Sequence, residues 1–376
     1  MERGFGGEKL HALVVPFPLQ GHINPMLYFA HKYVSHGFLV TFVHSEHNHS
    51  RIMEAKEKMK LEDANKDKIR LVSISDALAP EGSRSDVPKL FDSLKDRLAS
   101  SLHRLIQDIN ETKGHGITCA VFDLSLYYVR HVAKNLDISY ALFSTVSVAT
   151  CVVCQQSSTL ISSGIVSPNG TATVDKMINV LPFMPPLSST KLVWMYGSED
   201  QIKKNLETIL DVANEVREEL IAGQFARGGG GVSGLARQAA LLVCDIRVLW
   251  ELGDIEREAV PRTGCGAGGN RQTVSVGRRL VTSRICSTSW RSRFLNCTYI
   301  VNEWKIGLEL IANGDGLVEK GEILNDVEKL VVGEEGVNIK KRATLLRERA
   351  RESVKPGHSS SINFNLVVET LLSKRL

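Results

Sequence analysis

His22 is the first residue in this sequence with chemistry to offer. It lies in Pro16-Phe-Pro-Leu-Gln-Gly-His22-Ile-Asn-Pro25, after an apolar run from His11 to Val15 and before apolar residues at Ile23, Met26, Leu27, Ala30, Tyr33 and Val34. The run reads as a buried strand, and the later spacing is helical. Two prolines and a glycine force the turn between them, leaving one imidazole at a strand's carboxyl end, where open α/β sheets bind ligands. Asp123 closes a second run, Ile117 to Phe122, at the equivalent position. A histidine beside a carboxylate can act as a general base, because the carboxylate fixes the tautomer and stabilises the imidazolium. The plain alternatives are a helix-start residue for His22 and a cap on a helix starting near Leu126 for Asp123. Ser144, Thr145 and Ser147 follow a third run, Ser139 to Phe143. Their hydroxyls suit a sugar or phosphate contact, or a helix cap.

The elements that must position these residues alternate. Strands are expected at His11–Val15, Phe38–Val43, Ile69–Ile74, Ile117–Phe122 and Ser139–Phe143, with a helix from Ile52 to Asp63 and a long amphipathic one from Leu90 to about Asn110. Strands and helices in this order imply a Rossmann-like α/β domain with a parallel sheet covered on both faces. Loops such as Ala77–Pro88 and Cys151–Leu187 carry no legible chemistry. His44, His47 and His49 have only Glu46 nearby at ligand spacing, so they read as a solvated loop and no metal is expected. Cys151 and Cys154 form a C-x-x-C pair without a partner pair and read as buried thiols.

The chain has 376 residues, 43% hydrophobic and 23% charged, with a net charge of +4. Those are globular values with room for two domains. The charge is too small to point to nucleic acid or a membrane surface. No apolar run approaches a membrane span, and the first nine residues are polar and glycine-rich, so a cytoplasmic protein without membrane insertion is expected.

His11 to Met26 (H-A-L-V-V-P-F-P-L-Q-G-H-I-N-P-M), Thr118 to Asp123, Phe143 to Ser147 and Leu181 to Leu187 resemble the acceptor domain of plant-type UDP-dependent glycosyltransferases of family 1. The resemblance covers residues 9 to about 220 and resumes from Phe294 to the end. It implies a GT-B-like α/β fold with two Rossmann-like domains. It further implies inverting transfer of a sugar from a UDP-sugar co-substrate to a hydroxyl of a small acceptor, with no other cofactor. In that family His22 would be the base, Asp123 its partner and Thr145 a contact to the donor sugar, with Gln20 and Gly21 near the acceptor pocket. The last helix would cross back onto the N-terminal domain.

The family's donor box has no counterpart between residues 222 and 293. That stretch is rich in glycine and arginine, with Arg262, Arg271, Arg278, Arg279, Arg284, Arg291 and Arg293 and no acidic residue from Ala259 to Asn302. Gly264 to Gly269 matches G-x-G-x-x-G, but no strand precedes it and no helix pattern follows. Read one base later, the codons permitted for Gly268 to Arg278 spell E-A-T-G-R-P-F-L-W-V-V, a family segment from just upstream of the donor box. Trp250–Thr263 and Val232–Ala240 also give family-like segments in the same register. The expected organisation is therefore residues 1–221 as acceptor domain, 222–293 as an aberrant, disordered segment, and 294–376 as the helical remnant of an incomplete donor domain. Helices are expected at Tyr299–Ala312, Lys320–Val332, Ile339–Val354 and Ser359–Leu372. Three functions follow: a UDP-sugar glycosyltransferase; a catalytically inactive, frame-disrupted product that at most binds acceptor-like small molecules; and, ranked last, a nucleic-acid-binding protein built on the arginine run.

Overall fold

Side chains alternate across the first strand, β1 (His11–Val15), and this sets the layers. Ala12 and Val14 enter one core layer, Leu13 and Val15 the other, as a strand covered on both faces requires. A computed structural model of the chain describes residues 10–49, 68–76, 78, 87–111, 116–180, 184–225, 285–286, 293–310, 313 and 318–373. The helix expected over Ile52–Asp63 and most of the segment 222–293 lie outside these residues.

Five parallel strands form the main sheet: β1, β2 (Leu39–Ser45), β3 (Ile69–Ile74), β4 (Cys119–Asp123) and β5 (Ser139–Phe143), in the order β3-β2-β1-β4-β5. The order reverses between β1 and β4, whose register pairs Val15 with Phe122. Helix α1 (Gln20–Ser35) packs on one face through Met26, Ala30 and Tyr33. Helix α2 (Val87–Glu111) packs on the other, burying Leu90, Leu94, Leu98, Leu102 and Ile106 at four-residue spacing. A 3₁₀ turn (Leu124–Val129) and α3 (Arg130–Asn135) link β4 to β5.

Two compact units arise. The first comprises residues 1–145 and 363–376, the second 146–362. The second unit holds α4 (Val148–Gln155), α5 (Ser157–Ser162), the antiparallel pair β6 (Met177–Ile178) and β7 (Leu187–Ser188), and α6 (Glu199–Phe225). Trp194 anchors this part: it is fully buried and its indole N–H donates to the Gly170 carbonyl at 3.0 Å. Next come β8 (Ile285–Cys286) and α7 (Arg293–Thr298), then a π turn (Tyr299–Glu303), β9 (Leu308–Glu309), α8 (Lys320–Val331) and α9 (Glu334–Ser353). The final helix, α10, spans Ser359–Ser373. Within the first unit, its residues Phe364, Val368, Leu371 and Leu372 join the core layer of α1.

One expected helix differs. The Tyr299–Ala312 stretch ends its helical turn at Lys305, whose φ of 52° is left-handed. The Ile306 N–H donates back to the Ile300 carbonyl at 2.9 Å, a wide closing bond that follows the π turn and stops the helix.

Candidate functional site

The candidate site is assembled at the point where strand order reverses, the usual ligand crevice of such sheets. Strand alternation explains why. Cys119 and Val121 face the layer of α1, so Asp123, two residues on, faces the start of that helix. Ala141 and Phe143 of β5 face the same layer, and Thr145 follows them by two. His22 occupies the first turn of α1, so three elements deliver one side chain each to one spot.

There, His22 Nδ1 lies 2.8 Å from Asp123 Oδ2 and 3.0 Å from Thr145 Oγ1. Asp123 is fully buried, whereas the His22 side chain keeps 22% exposure. A buried carboxylate beside Nδ1 demands a proton on that nitrogen, since two lone pairs at this distance would repel. Nδ1–H therefore donates to Asp123, and Thr145 Oγ1 stands as a second acceptor, leaving its own hydroxyl proton available. Nε2, the remaining ring nitrogen, carries the lone pair and has no hydrogen-bond partner among the described residues. The arrangement can take a proton from a hydroxyl.

Asp123 performs both tasks weighed for it. Its Oδ1 accepts from the Ser125 N–H at 2.8 Å, capping the 3₁₀ turn, while Oδ2 faces His22. Of the three junction hydroxyls, Ser147 is the cap, accepting from the Thr150 N–H at 3.3 Å. Thr145 is turned to the imidazole. Gln20 and Gly21 lie exposed in the first turn of α1, and Pro25 has no N–H to offer the Gly21 carbonyl.

Sequence reasoning missed two supports. The Phe17 ring, buried, packs against the imidazole with centroids 5.3 Å apart. The Asn48 side-chain amide donates to the Pro18 carbonyl at 2.9 Å. Phe17 was visible only as one apolar residue of the turn. Asn48 lies 30 residues away in sequence, and no spacing rule links it to the turn.

The histidine cluster after β2 differs from a solvated loop. His44 is the penultimate residue of β2, 2% exposed, with Nε2 3.3 Å from His49 Nδ1. Among the described residues no group of three or more His, Cys, Asp or Glu is placed to hold a metal ion. Cys151 and Cys154 of α4 are partly buried and form no disulfide, and burial, then the neighbouring Cys151, pushes the Cys154 thiol well above its usual range.

Comparison with known proteins places this geometry in a class. No protein-family model matches the chain. Solved structures that it resembles include a Polygonum tinctorium UDP-glucosyltransferase capable of glucosylating indoxyl, bound to 3,4-dichloroaniline, with a TM-score of 0.66 and 16% identity over 97% of this chain and 99% of that one. Medicago truncatula UGT71G1 complexed with UDP-glucose gives a TM-score of 0.62 and 14% identity over 97% and 98%. The chain is an α/β protein of the GT-B class.

Curated relatives narrow the class. UDP-glycosyltransferase 83A1 of Arabidopsis thaliana is 25% identical over 452 positions covering 97% of each chain. An alignment of 452 positions for a chain of 376 residues leaves at least 76 where the relative has a residue and this chain has none. The 7-deoxyloganetin glucosyltransferase of Catharanthus roseus is 31% identical over 163 residues, 42% of this chain and 33% of the relative. The chain is a homologue of the plant family 1 UDP-glycosyltransferases. Among the described residues no helix is long and apolar enough to cross a membrane.

Proposed function

We propose that the chain transfers a sugar from a UDP-sugar to a hydroxyl of a small acceptor, with His22 as general base. The observation that carries this reading is the His22–Asp123 pair at 2.8 Å, at the sheet's reversal point, with Nε2 unengaged. Nε2 would remove the acceptor's hydroxyl proton as the acceptor oxygen forms its bond to the anomeric carbon. The bond from that carbon to the diphosphate oxygen breaks, and UDP leaves with the electron pair from the opposite face, so configuration inverts. The proton remains on His22 as an imidazolium stabilised by Asp123. Thr145 would offer its hydroxyl proton to the donor sugar, and Gln20 and Gly21 would border the acceptor.

Relatives named as glucosyltransferases favour UDP-glucose as donor and favour the transferase over the inactive alternative. We assign no further cofactor or metal, no nucleic-acid partner and a cytoplasmic setting. Residues 1–221 are proposed as the acceptor domain and 294–376 as what the chain retains of the donor domain. These limits follow the resemblance, whereas the compact units divide at Thr145. The test is UDP release from UDP-glucose with a phenolic acceptor. Acceptor-dependent release that falls at least about a hundredfold in His22→Ala is expected; release indifferent to that substitution, or none at all, would overturn the reading.

A further inference from the structure

We infer that Asn48 is a positioning residue for His22, acting through the turn that carries it; the inference rests on the reading of His22 as the base. The turn is poorly equipped to hold itself. Pro16 and Pro18 have no N–H, and Leu19, the N-cap of α1, makes no side-chain capping bond. Its internal bonds are those from the Leu19 N–H to the Phe17 carbonyl at 2.8 Å and from the His22 and Ile23 N–H groups to the Leu19 carbonyl at 2.9 Å. Its residues Pro16, Phe17 and Pro18 are buried, Phe17 among the core residues of α2, but a small cavity of about 10 Å³ borders Pro16, Pro18, His44 and Ser45, so the packing around Pro18 is incomplete.

Asn48 supplies the missing tether. Its Nδ2 donates to the Pro18 carbonyl, whose residue is buried. Asn48 is itself fixed, because its backbone N–H donates to Ser45 Oγ at 3.3 Å and the next residue, His49, reaches His44 at the end of β2. A chain of contacts thus runs from the carboxyl end of β2, an inner strand of the sheet, through Asn48 to Pro18. From there the turn sets both Phe17, packed on the imidazole, and the first turn of α1, which bears His22. Releasing Pro18 would free Phe17 and the helix start together, and a base displaced by even 1 Å loses much of its rate advantage.

Asn48→Asp is the decisive variant: it keeps the side chain's shape but turns the donor into an acceptor facing a carbonyl. Thr118→Val serves as the control, since it removes two buried bonds of 2.7 Å at the opposite end of β1, one donated to the His11 carbonyl and one accepted from the His11 N–H. Two readouts are taken on the full chain: kcat and KM for transfer, and the Nδ1–H proton resonance of His22, assigned by its absence in His22→Ala. Asn48→Asp is expected to lower kcat about tenfold to a hundredfold with KM for UDP-glucose within about twofold, and to broaden or shift the resonance. Thr118→Val should leave both near wild type at the same folded fraction. An unchanged resonance in Asn48→Asp, or the same changes in Thr118→Val, would overturn the inference. If wild type transfers no sugar, the function fails while the resonance still decides the role of Asn48.

Discussion

The tautomer of His22 is the smallest unit on which the proposed function turns. With Asp123 ionised, the proton sits on Nδ1 and the lone pair on Nε2. Asp123→Asn reverses this, because an amide can donate to Nδ1 and drive the proton to Nε2, where it blocks base chemistry. The cap survives, since the asparagine oxygen still accepts from the Ser125 N–H. The variant should therefore fold with a melting temperature close to wild type while kcat falls roughly 10²- to 10⁴-fold. Steady-state kinetics paired with thermal denaturation checks both halves, and a proportionate loss of stability would indicate a structural role instead. His22, Asp123 and Thr145 were legible because each lies at or just beyond a strand's carboxyl end, and strand ends of a parallel sheet converge by topology. Phe17 and Asn48 were not, because their roles are contacts made by folding, one across a turn and one between the segments that follow β2 and β1.

At the scale of elements, strands could be read closely because continuous apolar runs bounded by Gly, Pro and Asp leave little choice. Helix ends were less legible. The α9 helix begins at Glu334, before the expected Ile339, because Gly333 provides an extended N-cap and Glu334 and Glu335 favour the helix's positive end. The closing helix α10 shows how one element completes the first unit. Phe364 sits 5.3 Å from Phe29 and 5.4 Å from Tyr33 in edge-to-face contacts, and Asn365 Oδ1 lies 3.0 Å from His36 Nε2. Phe364 is 4% exposed, so Phe364→Ala removes a buried ring and leaves a cavity, expected to cost about 3–5 kcal/mol. Leu366→Ala, on the same helix but 42% exposed, should change stability by no more than about 0.5 kcal/mol. Urea denaturation of the two variants measures the difference. Equal effects would mean that α10 contributes nothing by packing on α1.

The molecule as a whole joins a sheet made by its first 145 residues to a helix from its last fourteen, and Tyr33 lies where they meet. Its ring is wedged between Phe29, Phe38 and Phe364, and its hydroxyl is buried without a hydrogen-bond partner among the described residues. Burial, then the Cys119 thiol, pushes the Tyr33 phenol far above the ordinary value of 10.0. Burial, then Tyr127, pushes Tyr128 up likewise, in the opposite core layer. A raised value in the folded state means that the native protein holds protons which the unfolded chain releases. Below pH 10 both states keep them and the full stability is present. Above it the unfolded state gains, and stability declines as pH rises toward the folded values. The phenolate absorbance of Tyr33, taken as the difference between wild type and Tyr33→Phe, should consequently appear only together with loss of far-ultraviolet circular dichroism. Tyr33→Phe removes a hydroxyl that has no partner, so at neutral pH it should be neutral or stabilising by about 1 kcal/mol. In alkali its unfolding midpoint should move to higher pH. A phenolate signal for Tyr33 that precedes unfolding would show that this junction of the two chain ends opens to water while the sheet stays intact.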